Sequence, residues 1–253
     1  MEREQYEVMF HREDEHWWYA GMRQVALHIL RSTLAGTAPA RILDAGCGTG
    51  GTTVQLREFG GRIYGVDISA DALQLAESRG LAGSIAQASV ERLPFQDGSF
   101  DLVTSFEVIY HASVGNDQHA LAELRRVLRG GGLLLVRLPA HDWLRGRHDE
   151  LVHTRHRYSR REVQRKLRQA GFEVEFVSWA NTLLFPPAAA KRLLARVMPE
   201  HGDGMTAPEP DLWQPPPLLN DLLERCLTVE ALALPRRLPL PFGLSVIALG
   251  RAT

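Results

Sequence analysis

The sequence predicts one α/β domain built around a mostly parallel sheet. Short apolar runs alternate with helix-spaced stretches between residues 40 and 179, the rhythm of strand–helix–strand units. The first apolar run ends in a cluster of glycines, the turn that leads a buried strand into a helix. The composition is that of a globular chain, with 45% hydrophobic and 23% charged residues over 253 positions. That balance argues against disorder and collagen-like fibres.

Residues 1–36 are rich in charge and aromatics, and Val25, Leu27, Ile29, Leu30 and Leu34 give helical spacing, so this part reads as an N-terminal helical arm. Arg41-Ile-Leu-Asp-Ala is the first strand and Arg62-Ile-Tyr-Gly-Val the second. Between them Thr53, Val54, Leu56 and Phe59 line one helix face. Ser69 is the expected N-cap of a helix over 70–79, with Gly80 as its terminator. A third strand falls at 84–88 and a fourth at Asp101-Leu-Val-Thr-Ser-Phe. Leu121, Leu124 and Leu128 mark a helix from 117 to 128 that stops at Gly130-Gly-Gly, and residues 133–138 form a fifth strand. Ser159-Arg-Arg-Glu162 is a capping box opening a helix that Gly171 closes. Residues 172–179 and 244–249 supply a sixth and a seventh strand.

Residues 180–240 break the rhythm. The stretch is rich in proline, including Pro215-Pro-Pro, with helix-like patches near 187–198 and 217–229. It reads either as an inserted cap or as a loosely ordered linker. The spacing of Leu218, Leu219, Leu222, Leu223 and Leu227 suggests a buried face and favours the cap. The chain therefore divides into an arm (1–36), a main domain (37–179 with 241–253) and an insertion (180–240).

A net charge of −1 offers no general attraction to nucleic acid or to an anionic membrane. No run approaches the ~18 apolar residues of a membrane span, and the start of the chain lacks a secretory layout. Two cysteines make no disulfide framework and fit a reducing cytoplasm.

The strongest local signal is Asp44-Ala-Gly46-Cys-Gly48-Thr-Gly50-Gly51, between a strand and a helix. Glycines let the backbone turn tightly and approach a ligand, and the helix N-terminus offers free N–H groups. Gly46, Gly48 and Gly51 also satisfy the G-x-G-x-x-G spacing of dinucleotide folds, so the turn alone leaves the ligand open. Charge separates the readings. Asp44 would repel a pyrophosphate, but it suits S-adenosylmethionine, which has no phosphate and carries an ammonium and a sulfonium. Asp67, at the end of the second strand, can accept ribose hydroxyls from either ligand.

Four blocks then carry a resemblance. They are Ile42-Leu-Asp-Ala-Gly-Cys-Gly-Thr-Gly, Gly65-Val-Asp-Ile-Ser, Leu93-Pro-Phe-Gln-Asp-Gly-Ser-Phe-Asp-Leu-Val, and Leu121-Ala-Glu-Leu-Arg-Arg-Val-Leu-Arg-Gly-Gly-Gly. In this order across roughly 40–138, the chain resembles a class I S-adenosylmethionine-dependent methyltransferase of the small-molecule type, similar to the ubiquinone/menaquinone methyltransferases. The resemblance implies a Rossmann-like sheet of seven strands with helices on both faces. It also implies a final antiparallel strand in a hairpin with its predecessor, 180–240 being inserted between the two. By the same resemblance, Asp44, Gly46, Cys47, Gly48 and Gly50 hold the methionine moiety of S-adenosyl-L-methionine, and Asp67 and Ile68 the ribose and adenine. Where the family often has an Asp reading the adenine amino group, this chain has Ser89, followed by Val90. Phe106-Glu107-Val108-Ile109-Tyr110-His111 keeps the family's acidic-to-His pattern at the mouth of the sheet.

Methyl transfer needs a base only where the acceptor must lose a proton, and His111 is the candidate for that role, a structural His shaping the pocket being the alternative. Glu107 is a candidate ligand for cofactor or acceptor, and Tyr110 a candidate acceptor contact. Glu15-His16-Trp17-Trp18-Tyr19 and Arg23 precede the first strand. Trp18 and Tyr19 either fold over the cofactor as a lid or pack on the sheet edge, and Arg23 is a candidate partner for the cofactor carboxylate. After the fifth strand, His141, His148, Asp149, His153 and His156 lie among Arg147, Arg155, Arg157, Arg160 and Arg161. This spacing matches no standard zinc motif, so no metal is expected, and a substrate-facing loop with His141, His148 and His156 is preferred to a solvated one.

The reading is a cytoplasmic enzyme transferring a methyl group to a small-molecule acceptor, with a lipid-like compound or natural product suggested by the apolar insertion. Nucleic acid is not an expected partner, and contact with a membrane is at most peripheral. An NAD-dependent oxidoreductase and a non-catalytic cofactor-binding scaffold are the alternatives.

Overall fold

A computed structural model describes residues 3–197, 215–234 and 239–253. Two helices, α1 (Arg3–Arg12) and α2 (Trp17–Thr33), precede β1 (Arg41–Ala45). The alternation continues with α3 (Gly51–Gln55), β2 (Arg62–Asp67), α4 (Ala70–Ala76), β3 (Ile85–Gln87), β4 (Phe100–Phe106), α5 (Asp117–Val127) and β5 (Leu128–Pro139). Then come α6 (Arg147–Leu151), α7 (Arg160–Gln169), β6 (Phe172–Ala180), α8 (Phe185–Val197), α9 (Pro217–Ala233) and β7 (Ser245–Ala252).

The seven strands form one sheet in the order β3-β2-β1-β4-β5-β7-β6. All neighbours run parallel except β7, which is antiparallel to both β5 and β6. This is the Rossmann-like arrangement with a reversed final strand. Helices cover both faces, so the central strands read as almost unbroken apolar runs. On one face α5 and α7 pack Leu121, Leu124, Val163 and Leu167 against the sheet. On the other, α2 and α9 bring Met22, Val25, Ala26, Leu30, Leu227 and Ala231 onto Ile42, Leu102 and Leu135.

Side chains set the helix ends. Ser69 accepts a hydrogen bond from the Ala72 N–H and starts α4. The helix then widens into a π turn, Glu77–Leu81, inside which Gly80 adopts φ +75°. Ser159 caps α7 through the Glu162 N–H at 3.2 Å, but the expected reciprocal bond is replaced: the Glu162 carboxylate holds His156 Nε2 at 3.0 Å. The triple glycine does not lie outside regular structure either. Gly130, Gly131 and Gly132 belong to β5, whose register with β4 shifts between Phe100 and Leu102.

The predicted buried face of the insertion needs correction. Leu218 is 87% and Leu222 57% exposed, whereas Leu227, Ala231 and Leu234 are buried. The inward face of α9 runs through Asn220, Leu227 and Ala231, and an offset of two residues from Asn220, about half a turn, puts Leu218 and Leu222 on the other side. Asn220 uses that inward face to accept from the Trp17 N–H and donate to the Glu15 carbonyl, each at 3.0 Å. The α2–α9 crossing is close because Gly21 has no side chain: a Cβ there would lie 2.5 Å from Leu227 Cδ1. Among the described residues no helix is long and apolar enough to cross a membrane.

Leu227→Ala should lower the stability by about 2–5 kcal/mol through the cavity it leaves. Leu218→Ala should change it by no more than about 0.5 kcal/mol. Denaturant melts of the two variants measure the difference, and equal losses would contradict the assignment of the buried face.

Candidate functional site

The chain leaves β1 through a turn whose backbone only glycine adopts readily: φ is +87° at Gly46, +53° at Gly48 and +86° at Gly50. The Gly46 and Cys47 N–H groups both donate to the Val66 carbonyl at the end of β2, at 2.7 and 2.9 Å. Asp67 completes the link. Its Oδ2 accepts from the Gly48 N–H and its Oδ1 from the Ser69 N–H, each at 2.9 Å. The glycine turn is therefore fastened to the next strand by the acid that sequence spacing picks out for ribose.

Asp44 is buried just before the turn. Oδ2 accepts from Thr53 Oγ1 of α3 at 2.6 Å and Oδ1 from Thr104 Oγ1 of β4 at 2.8 Å. Burial outweighs these two bonds and raises its carboxyl to about 6. Thr53, expected on an apolar helix face, is thus a polar partner of the acid.

A cleft opens over the turn, lined by Gly46, Asp67, Ile68, Ala88, Ser89, Val90, Val108, Ser113 and Val114. Five of the sequence-predicted residues meet here: Gly46, Asp67, Ile68, Ser89 and Val90. Ile68 is half exposed at its rim. Ser89 Oγ accepts from the Glu91 N–H at 3.2 Å. Val108 closes the floor, and a Cβ on Gly46 would stand 2.1 Å from its Cγ2.

Other residues of the turn face elsewhere. Cys47 packs toward β2, its Sγ 2.9 Å from where a Gly65 Cβ would be, and burial raises its thiol. Gly50 abuts Leu81. Gly48 meets the Met9 side chain of α1. Glu13, which follows α1, accepts from Thr49 Oγ1 and pairs with Arg79 at 3.0 Å. Its carboxylate reaches the space a Gly51 side chain would need. Sequence reasoning misses Glu13 and Arg79 because neither belongs to a motif.

The element lying across the glycine turn is α1, while Trp17 and Trp18 pack against the α2–α9 core. Arg137 sits between aromatic rings, its guanidinium 5.5 Å from Trp18 and 5.1 Å from Phe106. It pairs with Glu107 at 3.0 Å and donates to the Met22 carbonyl at 3.1 Å. Glu107 adopts φ +57°. Tyr19 packs edge-on against Trp18, and burial keeps its phenol protonated. Arg23 donates to the Glu13 carbonyl at 2.9 Å. Tyr110 is buried beneath the loop after β4, and its phenol is likewise raised by burial.

The loop after β5 is more tied down than its sequence suggests. Arg157 pairs with buried Asp149 at 2.7 Å, and Asp149 accepts from the Gly146 N–H. Arg155 donates to the Val114 and Gly115 carbonyls at 2.6 Å each. His156 lies between Glu162 and Asp142, at 3.0 and 3.7 Å. These side chains help hold the loop together. His141, at φ +59°, stacks on Trp179 with centroids 4.3 Å apart, and its Nε2 is buried without a hydrogen-bond partner. The side chain of His148 lies outside the described residues. Among the described residues no group of three or more His, Cys, Asp or Glu is arranged to hold a metal ion.

Strand order and glycine turn define the fold class, a Rossmann-like α/β sheet with a reversed last strand. Residues 43–136 match the family model described as a methyltransferase domain. A malonyl-[acyl-carrier protein] O-methyltransferase of Enterobacter lignolyticus is 38% identical over 105 residues, 42% of this chain and 41% of that protein. A demethylmenaquinone methyltransferase of Thermus thermophilus is 39% identical over 105 residues, 39% of this chain and 47% of that one. The matches thus span less than half of these relatives. The fold extends further. A SAM-dependent methyltransferase from Thermotoga maritima superposes with a TM-score of 0.58 at 20% identity, covering 99% of this chain and 96% of that one.

Gly46→Ala should destabilise the fold, since the left-handed backbone alone costs about 1–2 kcal/mol and the methyl group overlaps Val108. Adding Val108→Ala should recover part of the loss. Thermal melts that show no loss in Gly46→Ala would contradict the close approach.

Proposed function

We propose that the chain binds S-adenosyl-L-methionine in the cleft over the glycine turn and transfers its methyl group to a small-molecule acceptor. The observation that carries this reading is the meeting of Gly46, Asp67, Ile68, Ser89 and Val90 in one cleft beside a buried acid, Asp44. The residues fit the cofactor. Gly46 brings only backbone to the cleft beside Val108, Asp67 has lone pairs left for ribose hydroxyls, and the Val90 N–H suits an adenine ring nitrogen. Asp44 places negative charge where an ammonium is bound and where a pyrophosphate is repelled, which disfavours a dinucleotide. When bound, the cofactor supplies an electrophilic methyl group on a sulfonium.

The chain's own work is then to orient. Holding an acceptor in line can contribute about 7–11 kcal/mol, without any covalent role for the protein. Arg137 and Glu107 neutralise each other beside Trp18. We assign the acceptor to the side formed by Tyr110, His111 and His141. The division into arm, main domain and insertion belongs to the same proposal, as does a cytoplasmic location. Exposed Leu193, Leu194, Leu218 and Leu222 on α8 and α9 support a lipid-like acceptor or peripheral contact with a membrane. The names of the relatives, a malonyl-carrier and a demethylmenaquinone methyltransferase, agree with small or carrier-bound acceptors.

The raised carboxyl of Asp44 gives a test with a definite sign. The folded chain holds this proton more tightly than the unfolded chain, so the group favours folding at low pH. That contribution fades as pH rises from the ordinary aspartate range through about 6. Binding a ligand ammonium requires the ionised form. Affinity for S-adenosylhomocysteine in calorimetry should therefore weaken as pH falls below about 6. Asp44→Asn should weaken binding at neutral pH by about 10–100-fold, the worth of one charge-assisted hydrogen bond, and flatten the pH dependence. Binding of NADH without S-adenosylhomocysteine would overturn the reading.

A further inference from the structure

His111 stands in the loop after β4, between Val108 and the Ser113–Val114 pair, all three of which line the cleft. Its backbone makes two tight turns. The His111 N–H donates to the Val108 carbonyl, and the Val114 N–H donates to the His111 carbonyl, each at 2.9 Å. The loop is also clamped from the segment after α6. The Ala112 N–H donates to the His153 carbonyl at 2.9 Å, and the Arg155 N–H to the Tyr110 carbonyl at 3.0 Å. Arg155 reaches two further carbonyls of the same loop. The ring is held as firmly as its backbone: Nδ1 accepts from the Ser113 N–H at 3.0 Å and lies 2.8 Å from Ser113 Oγ.

That backbone bond fixes the tautomer. An amide N–H can only donate, so Nδ1 must carry the lone pair, and a neutral imidazole then has its single proton on Nε2. Burial, with His153 5.7 Å away, keeps the ring neutral and pushes its pKa down to about 4. Nε2 makes no hydrogen bond to the described residues.

Resting on the methyl-transfer reading, we infer that His111 offers an Nε2–H donor to the acceptor rather than a base, and that the acceptor's nucleophile is a carboxylate oxygen. The one basic nitrogen of the ring already faces the Ser113 N–H, so no lone pair is turned outward to take a proton. Of the groups on either side, the Tyr110 phenol stays protonated and Glu107 is paired with Arg137. An acceptor that arrives ionised needs no base. One carboxylate oxygen accepts the Nε2–H bond and is oriented by it. The O–CH₃ bond forms as the S–CH₃ bond breaks, the electron pair of that bond passes to sulfur, and no proton moves.

Two measurements test this on the full chain. The first is nitrogen NMR of protein labelled at histidine, with the His111 signals identified by their loss in His111→Gln. The Nε2–H tautomer is expected at neutral pH, and an Nδ1–H tautomer or an imidazolium would overturn the inference. The second offers octanoate, octanol and octylamine with S-adenosylmethionine. Octanoate should be the methylated member, at a rate that does not rise through a histidine titration. His111→Gln, whose amide can donate, should keep kcat/KM within about tenfold, whereas His111→Leu should lose about 10–100-fold. A Gln variant as impaired as the Leu variant, or methylation of octanol or octylamine alone, would contradict the donor role. If cofactor binds and none of the three is methylated, the methyl-transfer reading is what fails, and the tautomer still decides the role of His111.

Discussion

The carboxylate of Asp44 is held out of water by two threonine hydroxyls, and much of the molecule is arranged around that fact. A buried acid with only neutral donors is costly, which is why its proton is retained to about pH 6. Thr53 comes from the helix after the glycine turn and Thr104 from the adjacent strand β4. The acid thereby ties β1, β4 and α3 to one point at the mouth of the sheet. Asp67 does the same for the turn and β2 through two backbone N–H groups.

A second theme is the use of arginine as scaffold. Arg137, Arg155 and Arg157 lie near the mouth of the sheet, where a charged acceptor would meet them. Each is instead committed to a carboxylate or to backbone carbonyls of the chain. These bonds order two long loops, residues 107–116 and 140–158, that carry no sheet pairing beyond isolated bridges. The order so obtained fixes the orientation of His111.

Much of the fold is legible in the sequence because its signals are local. Strands buried on both faces read as apolar runs, the glycines of 46–50 need positive φ, and Ser69 and Ser159 are caps that act within one turn. The cleft over the glycine turn is legible for the same reason, its residues standing at the ends of consecutive strands. The reversed β7 and its place between β5 and β6 come only through the resemblance, since strand direction leaves no local trace. What the sequence hides depends on distant pairing. Glu13 meets Thr49 and Arg79 across a fold, Arg137 finds Glu107 thirty residues away, and the direction α9 faces is set by Gly21 and Asn220 rather than by its own leucines. The histidines after β5 look alike in sequence, yet His156 is bound by a carboxylate and His141 stacks on Trp179.

The proposed methyl transfer depends on one cleft, set by Asp44, Asp67 and the glycine turn, receiving the cofactor. A crystal structure with S-adenosylhomocysteine tests it most directly. Ribose hydroxyls are expected on Asp67, adenine between Ile68 and the Ser89–Val90 pair, and the ammonium on the Asp44 side of Gly46. A ligand bound at another edge of the sheet, with Asp67 contacting only Gly48 and Ser69, would contradict it.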